Sequence, residues 1–248
     1  MNRNMFVRFS LMTLFALSAA VTAQQPLTPE DDWVSALRAG GNVVLGPGAF
    51  YTTEYVELSQ SLDLSGQGAG VTSLWFASDG GEYGEQLVLL ADIDQPVRFR
   101  LSNLDISYDG DEPTDLVVLW GPAHLTLDSV NVNYAFEDPD YLETGPEYFL
   151  GSGLLLGEHA TALVVSSTFY TNGTNGITAL WAERLVVSDS TFVDNWWAGV
   201  FVRGTPVTVT RSHFELNDVG IEIYGSEPRI LSANTFLHQF SMDVYEEN

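Results

Sequence analysis

The sequence predicts an all-β fold, a single-stranded right-handed parallel β-helix of about eight coils with a capping helix at its N-terminal end. Three observations predict this solenoid: a repeat of about 22 residues, short apolar–polar alternation inside each repeat, and one helical pattern ahead of the first repeat. The three short strands of such a repeat cannot bury a face alone. Stacked coils can, because each strand then pairs with its equivalent in the next coil.

The repeat is clearest in the C-terminal half of the chain. Phenylalanines recur at intervals of 23, 22 and 22 residues, and an amide side chain follows three residues after each one. The rings are Phe169, Phe192, Phe214 and Phe236, and the amides are Asn172, Asn195, Asn217 and Gln239. Stacking of the coils predicts a ladder of rings inside the solenoid and a ladder of amides at a turn.

Alternation within each repeat predicts which side chains face the interior. Ile106 and Val132 take the Phe position in earlier coils, whereas Arg229 falls at an inward position of the last coil. The apolar pairs that follow the last three amides are Val200 and Val202, Ile221 and Ile223, and Met242 and Val244. These pairs are expected to point inward.

These repeats resemble those of the pectin-lyase-like superfamily of right-handed parallel β-helices. Residues 46–51 (GPGAFY) and 57–72 are similar to the opening coils of many members, and the resemblance covers residues 28–248. It implies the fold but barely an activity, because one fold hosts many functions. Lyases of the superfamily use an Arg or Lys base with acid-held calcium, and hydrolases use clustered Asp with a His and an Arg-x-Lys element. Here there is no Lys, and no strand of the repeat carries paired Asp residues.

The ends of the chain predict an exported single-domain protein. Arg3 and Arg8, an apolar stretch at 9–21 and small residues before Gln24 indicate a signal peptide over residues 1–23. Residues 24–248 then form one β-helix domain, secreted or periplasmic.

Two further segments stand out in this domain. A cap helix is expected within 28–41, from Pro29 to Ala39, with Trp33, Val34 and Leu37 on its apolar face. A loop inserted at 136–151 lengthens one coil and is a candidate binding loop.

The net charge of the chain disfavours several classes of partner. The sequence carries 33 acidic residues and nine Arg, and without residues 1–23 seven Arg remain, which gives a net charge of −26. Such a field disfavours nucleic acid, anionic membranes and polyanionic sugars. The absence of Cys excludes disulfides, and no later apolar run approaches the roughly 20 residues of a membrane span.

The candidate binding surface is an outward strand face near the C-terminus. Aromatic rings interleaved with polar groups suit a sugar, because rings stack on its apolar face and polar groups bind its hydroxyls. The predicted carbohydrate-binding residues are Phe201, Arg203, Glu222, Tyr224, Asp243 and Tyr245 on strands, with Trp181, Trp196 and Trp197 at adjoining turns.

Two chemical alternatives use acidic residues. Glu222 and Asp243 on adjacent coils would stand about 5 Å apart and form a carboxylate pair, and Arg203 with Tyr224 would serve a lyase. No cofactor is expected from the rest of the sequence, and the acidic segment around Gly110 is either a solvated turn or a calcium site, because oxygen ligands in a flexible loop suit this ion. Its candidate ligands are Asp105, Asp109, Asp111, Glu112 and Asp115.

The leading hypothesis is an exported, non-catalytic β-helix module that binds glycan or cell-surface material, or acts as a scaffold. The alternative is a polysaccharide lyase or glycoside hydrolase acting on an extracellular polysaccharide. A third class, an assembly protein, would form an oligomer through an exposed C-terminal coil.

Overall fold

The computed structural model describes residues 25–77, 84–91, 95–136 and 150–247. The predicted signal peptide and residues 137–149 of the predicted inserted loop lie outside these ranges. The described chain forms one helix followed by strands. They are α1 (Trp33–Ala39), β1 (Gly41–Val44), β2 (Gly48–Thr52), β3 (Val56–Leu58), β4 (Leu62–Ser65), β5 (Thr72–Phe76), β6 (Glu85–Leu90), β7 (Val97–Tyr108), β8 (Asp115–Trp120), β9 (Ala123–Asn133), β10 (Leu154–Leu156), β11 (Thr161–Val165), β12 (Thr168–Tyr170), β13 (Ile177–Leu180), β14 (Arg184–Ser188), β15 (Thr191–Val193), β16 (Ala198–Arg203), β17 (Val207–Thr210), β18 (His213–Glu215), β19 (Val219–Tyr224), β20 (Arg229–Ser232), β21 (Thr235–Leu237) and β22 (Met242–Glu247).

The strands stack into three faces in which neighbouring strands run parallel. The first face contains β1, β4, β11, β14, β17 and β20, and the second contains β2, β5, β12, β15, β18 and β21. The long strands β7 and β9 contribute to both, which joins them into one 14-stranded sheet. The third face holds eight strands, β3, β6, β8, β10, β13, β16, β19 and β22. The predicted parallel β-helix of about eight coils is therefore confirmed.

The interior contains the predicted ladder of phenylalanines. Phe169 and Phe192 stack with ring centroids 5.2 Å apart, Phe192 and Phe214 at 4.8 Å, and Phe214 and Phe236 at 5.1 Å. Each stacked pair contributes attraction beyond the burial of apolar area. The first three rings are completely buried, whereas Phe236 in the last coil is only partly covered.

The amide ladder forms at the turn between the second and third faces. The Nδ2 of Asn172 donates to Asn195 Oδ1 at 2.8 Å, that of Asn195 to Asn217 at 2.9 Å, and that of Asn217 to Gln239 Oε1 at 3.2 Å. Each acceptor oxygen also takes a backbone N–H from the coil before it. The residue before each amide has a positive φ, from 53° to 58°, which turns the chain sharply. The ladder amides therefore keep their polar groups bonded within this buried turn.

The N-terminal helix closes the first coil, as predicted, but it is shorter than expected. It begins at Trp33, because Asp32 accepts a hydrogen bond from the N–H of Ser35 as the N-cap. The expected start at Pro29 was wrong: Asp31 accepts from the backbone of Thr28 at 2.7 Å and holds the preceding residues in a turn. The Trp33 ring packs edge-on against Phe50 in β2.

The last coil departs from the predicted register. Ile221 pairs with Val244, and Ile223 pairs with Glu246, so the predicted inward position of Met242 was wrong. Met242 pairs with Val219 and lies exposed at the end of the stack. The number of residues in a coil depends on the length of its turns. The coil from Val200 to Ile221 takes 21 residues, whereas the coil from Ile221 to Val244 takes 23.

Candidate functional site

The predicted carbohydrate face is largely occluded. Phe201 points outward from β16, but its side chain is only 1 % exposed, packed with Trp197, Tyr224 and Tyr245. A ring covered in this way has no face for a sugar, so Phe201 does not fit the predicted role. The alternation of the strand gave its direction correctly, but neighbouring aromatic side chains cover it.

Glu222 forms the centre of a polar network within this cluster. Its Oε2 accepts from Nε1 of Trp197 at 2.5 Å, and its Oε1 accepts from the hydroxyl of Tyr224 at 2.6 Å. Burial of Tyr224 and its bond to Glu222 raise the pKa of its hydroxyl. Both oxygens of Glu222 are thus engaged, which makes this network a structural unit.

The remaining members of the predicted set lie at its edge. The guanidinium of Arg203 lies 5.2 Å from the centre of the Tyr224 ring, and Tyr245 donates its hydroxyl to Glu247 at 2.9 Å. Trp181 rests against Gly204, and Trp181, Arg203 and Tyr224 border a shallow cavity of about 290 Å³. Trp196 does not border this cavity and instead lines two other cavities together with Asp194.

The predicted carboxylate pair does not form. Glu222 pairs with Tyr245 across β19 and β22, whereas Asp243 lies beside Gly220, two residues away along the strand. The prediction was wrong because it assumed that Met242 stacks on Ile221. Glu222 and Asp243 therefore do not supply the acid and base of a glycosidase.

The calcium candidates are separated. Asp105 binds the N–H of Gly70 at 2.7 Å and the amide of Asn131 at 2.8 Å. Asp115 lies buried at the start of β8, where its Oδ1 accepts the N–H of Ser152 at 2.7 Å. Within the described ranges no group of three or more His, Asp and Glu is arranged to hold a metal ion, Asp109, Asp111 and Glu112 included.

A buried carboxyl pair on the third face was missed by sequence reasoning. Glu85 in β6 pairs in register with Asp115 in β8. Burial raises the pKa of Asp115 to about 7, and the nearby Glu85 contributes to the rise. Burial also raises the pKa of Glu85, although Nε1 of Trp120 donates to its carboxylate at 3.1 Å. Both carboxyls therefore bind a proton more readily than exposed ones do, and the pKa of Asp115 lies near neutral pH.

A groove of about 1090 Å³ runs along the first face. Outward positions of successive strands carry a row of basic and hydroxyl side chains, here called the basic row. Its members are Arg98 in β7, His124 in β9, Thr161 in β11 and Arg184 in β14. The row is in direct register, so these side chains follow one another at the strand spacing of about 4.8 Å.

Local contacts fix parts of the groove. His124 Nδ1 lies 2.8 Å from the hydroxyl of Thr161, and Arg100, the next outward residue of β7, binds Asp128 at 2.9 Å. Within the described part of the chain, Arg98 and Arg184 show no ion pair and are exposed. The basic row thus offers two solvent-facing guanidinium groups in an otherwise acidic protein. Arg98 lines the groove, and Arg184 continues the row one strand beyond Thr161.

The signal for the basic row was present in the sequence. The buried residues Phe99, Leu125, Ala162 and Leu185 occupy one inward column of the repeat, and the row consists of the residues immediately before them. The net charge of the chain gave no indication of the basic row, because a sum over all residues does not show where the few basic side chains lie.

Comparisons with known proteins agree with this architecture. A sequence model described as "Right handed beta helix region" matches residues 118–246, just over half of the chain. The chain therefore belongs to the right-handed β-helix family. A search of the curated proteins gives no match. No helix of the described residues is long and apolar enough to cross a membrane.

Similar solved structures are distant in sequence. The Agl-KA catalytic domain superposes with a TM-score of 0.50 at 10% identity, over 85% of this chain and 46% of that one. The A-module of mannuronan C-5 epimerase AlgE6 from Azotobacter vinelandii gives 0.40 at 16% identity, over 81% and 69%. The Dettilon tailspike protein gives 0.40 at 14% identity, over 87% and 47%. At 10% identity the Agl-KA superposition supports the shared fold alone, and the activity has to be argued from the site.

Proposed function

We propose that this chain is an exported glycan-binding β-helix module whose first-face groove binds an acidic saccharide. The observation that carries the proposal is the basic row, in which Arg98, His124 and Arg184 follow one another in register. Guanidinium groups bind carboxylates and sulfates through paired hydrogen bonds, and they discriminate strongly between charged and neutral sugars.

The geometry suits a linear polymer. Arg98 and Arg184 stand three strands apart, roughly 14 Å at the usual strand spacing. A chain lying along the solenoid axis would meet them in turn. The strands hold the side chains in place through the register, which reduces the ordering cost of binding.

The acidic total charge does not oppose this proposal at short range. Charges more than about 8 Å apart are largely screened at physiological ionic strength. Within the groove, Thr126 and Thr161 add hydroxyl groups, and Asp63 and Glu183 add acceptors for sugar hydroxyls. Binding should therefore weaken as salt is added but should not vanish.

A polysaccharide lyase is the second candidate, supported by the placement of His124 beside Arg98. Arg98 would neutralise the carboxylate of a uronate, and His124 would take the proton at C5. A C4–C5 double bond would form as the bond from C4 to the glycosidic oxygen breaks, and that oxygen would take a proton from water. The glycoside hydrolase alternative has less support, because Asp63 and Asp128 both face Arg100.

Calorimetric titration with polygalacturonate and alginate oligosaccharides tests the binding. The double variant Arg98→Ala/Arg184→Ala should lose about a hundredfold or more in affinity, since charge-assisted contacts are worth about 1.5–3 kcal/mol each. The matched control is Arg211→Ala, because this exposed Arg pairs with Asp189 away from the groove. It should bind as the parent protein does.

Ultraviolet spectra of the same titration samples distinguish binding from turnover. Ultraviolet absorbance of an unsaturated product would identify a lyase, and His124→Gln should abolish that absorbance while it preserves binding. Unchanged affinity in the double variant, or absence of binding by the parent protein, would contradict the proposed function.

A further inference from the structure

A second groove, here called the turn groove, follows the turns that carry the amide ladder, between the second and third faces. Cavities of about 680 Å³ and 370 Å³ meet there, and both are lined by Asp194 and Trp196. The rings of Trp75, Tyr134 and Phe136 line the larger cavity with Trp196. The two cavities thus form one elongated surface centred on Trp196.

The rings of the turn groove are unusually accessible. Tyr134 is 44 %, Phe136 41 % and Trp196 43 % exposed, whereas the rings of the interior ladder from Phe169 to Phe214 are completely buried. Clustered exposed rings in a groove mark a binding surface more often than a stable solvated one.

The fold holds these rings in place. Tyr134 adopts a left-handed φ of 65° and meets Tyr170 edge to face, with centroids 5.7 Å apart. The N–H of Trp196 donates to the carbonyl of Asn172 at 3.1 Å, which ties this residue to the amide ladder. Rings that are already held in place lose little conformational entropy when a ligand binds. Their contacts with the ligand therefore contribute more to the affinity.

The charge of the turn groove is opposite to that of the first-face groove. Asp109 and Asp194 line the larger cavity, and Asp218 lines the smaller one beside Phe240. Carboxylates accept hydrogen bonds from sugar hydroxyls and repel anionic groups. Ring faces beside such acceptors therefore match an uncharged pyranose, which is apolar on its faces and hydroxylated at its edges.

We infer that the turn groove is a second saccharide site, one that takes a neutral oligosaccharide and works independently of the first-face groove. A small organic cation also suits rings and carboxylates. The elongated shape favours the oligosaccharide, because two joined cavities exceed what one ammonium group fills. Trp196 contributes the central stacking surface.

Titration with cellohexaose, xylohexaose and mannohexaose tests this site. At least one should bind the parent protein, and Trp196→Ala should weaken that binding about tenfold or more, as expected for loss of a stacking ring. Trp181→Ala is a closely matched control, since Trp181 is 52 % exposed but lies at the cavity that Arg203 and Tyr224 border. It should change the affinity less than about twofold.

Substitutions in one groove should leave binding in the other groove unchanged. Arg98→Ala/Arg184→Ala should leave neutral hexasaccharide binding intact, and Trp196→Ala should leave polygalacturonate binding intact. The inference is overturned if no hexasaccharide binds, if Trp181→Ala weakens binding as much as Trp196→Ala, or if the double Arg variant abolishes it. Binding of choline in place of any sugar would instead make the turn groove a cation site.

Discussion

The two ends of the solenoid are closed by opposite chemistry. At the N-terminal end, α1 lays Trp33, Val34 and Leu37 over the first coil, and these side chains are buried. At the other end, Arg229 and Glu246 occupy inward positions of the last coil and meet at 3.1 Å. An apolar plug covers one end of the core, and an ion pair spans the other.

The difference shows how a stack of coils can stop. Every interior coil covers the apolar residues of its neighbour, but the last coil has no neighbour and would expose its own. The charged side chains of Arg229 and Glu246 occupy the inward positions of the last coil. They cover the end of the core with polar groups that water can solvate. Ile230, Phe240 and Met242 nevertheless remain exposed there. Assembly through this coil stays a prediction.

Truncating one ring at each end tests the contrast most strongly. Trp33→Ala should lower the free energy of unfolding by about 3–5 kcal/mol, because it opens a cavity under the helix. Phe236→Ala should cost about half as much, since its ring is already partly exposed. Urea unfolding of both variants gives the two values, and equal losses would mean that the C-terminal end is sealed as tightly as the N-terminal one.

A pH titration distinguishes the buried interior from the ionic end. The pKa of Asp115 is raised from 3.8 to about 7. The folded protein therefore binds this proton more tightly than the unfolded chain does, and stability falls as pH rises from about 4 to 7. The loss should be about 4 kcal/mol, at about 1.4 kcal/mol for each pKa unit.

Asp115→Asn should remove most of that dependence, since Asn can still accept the N–H of Ser152. Glu246→Gln at the open end is the control and should follow the parent curve. Chemical unfolding at several pH values between 4 and 8 gives the comparison. A parent curve matched by Asp115→Asn would show that this carboxyl is ionised in the folded state.

The ion pair itself should contribute least. Arg229 is 24% and Glu246 37% exposed, so solvent screens their attraction, and such pairs contribute about 0–1 kcal/mol. Arg229→Met should therefore change the free energy of unfolding by less than about 1 kcal/mol in either direction. Its effect should appear instead in solution behaviour, because the last coil becomes more apolar. A loss above 3 kcal/mol would show that the pair closes the end as effectively as the helix does.

The regular coils were predictable because their signals repeat locally. The ladders of Phe192 and Asn195 follow from spacing alone, since equal turns place equal residues above one another. The last coil was not predictable in the same way. Its turns are two residues longer than those of the coil before it. Val244 therefore lies beside Ile221, where Met242 was expected.

The sequence by itself determined the fold class, the ring and amide ladders, the helix that covers the first coil and the side of each strand that faces the core. These depend on periodicity, which is local in the chain. Only the tertiary structure decided that Phe201 is covered, that Asp115 meets Glu85, and that Arg98 and His124 line one groove. Such contacts join residues from different coils, and the alternation of a strand gives a side chain its direction but not what covers it.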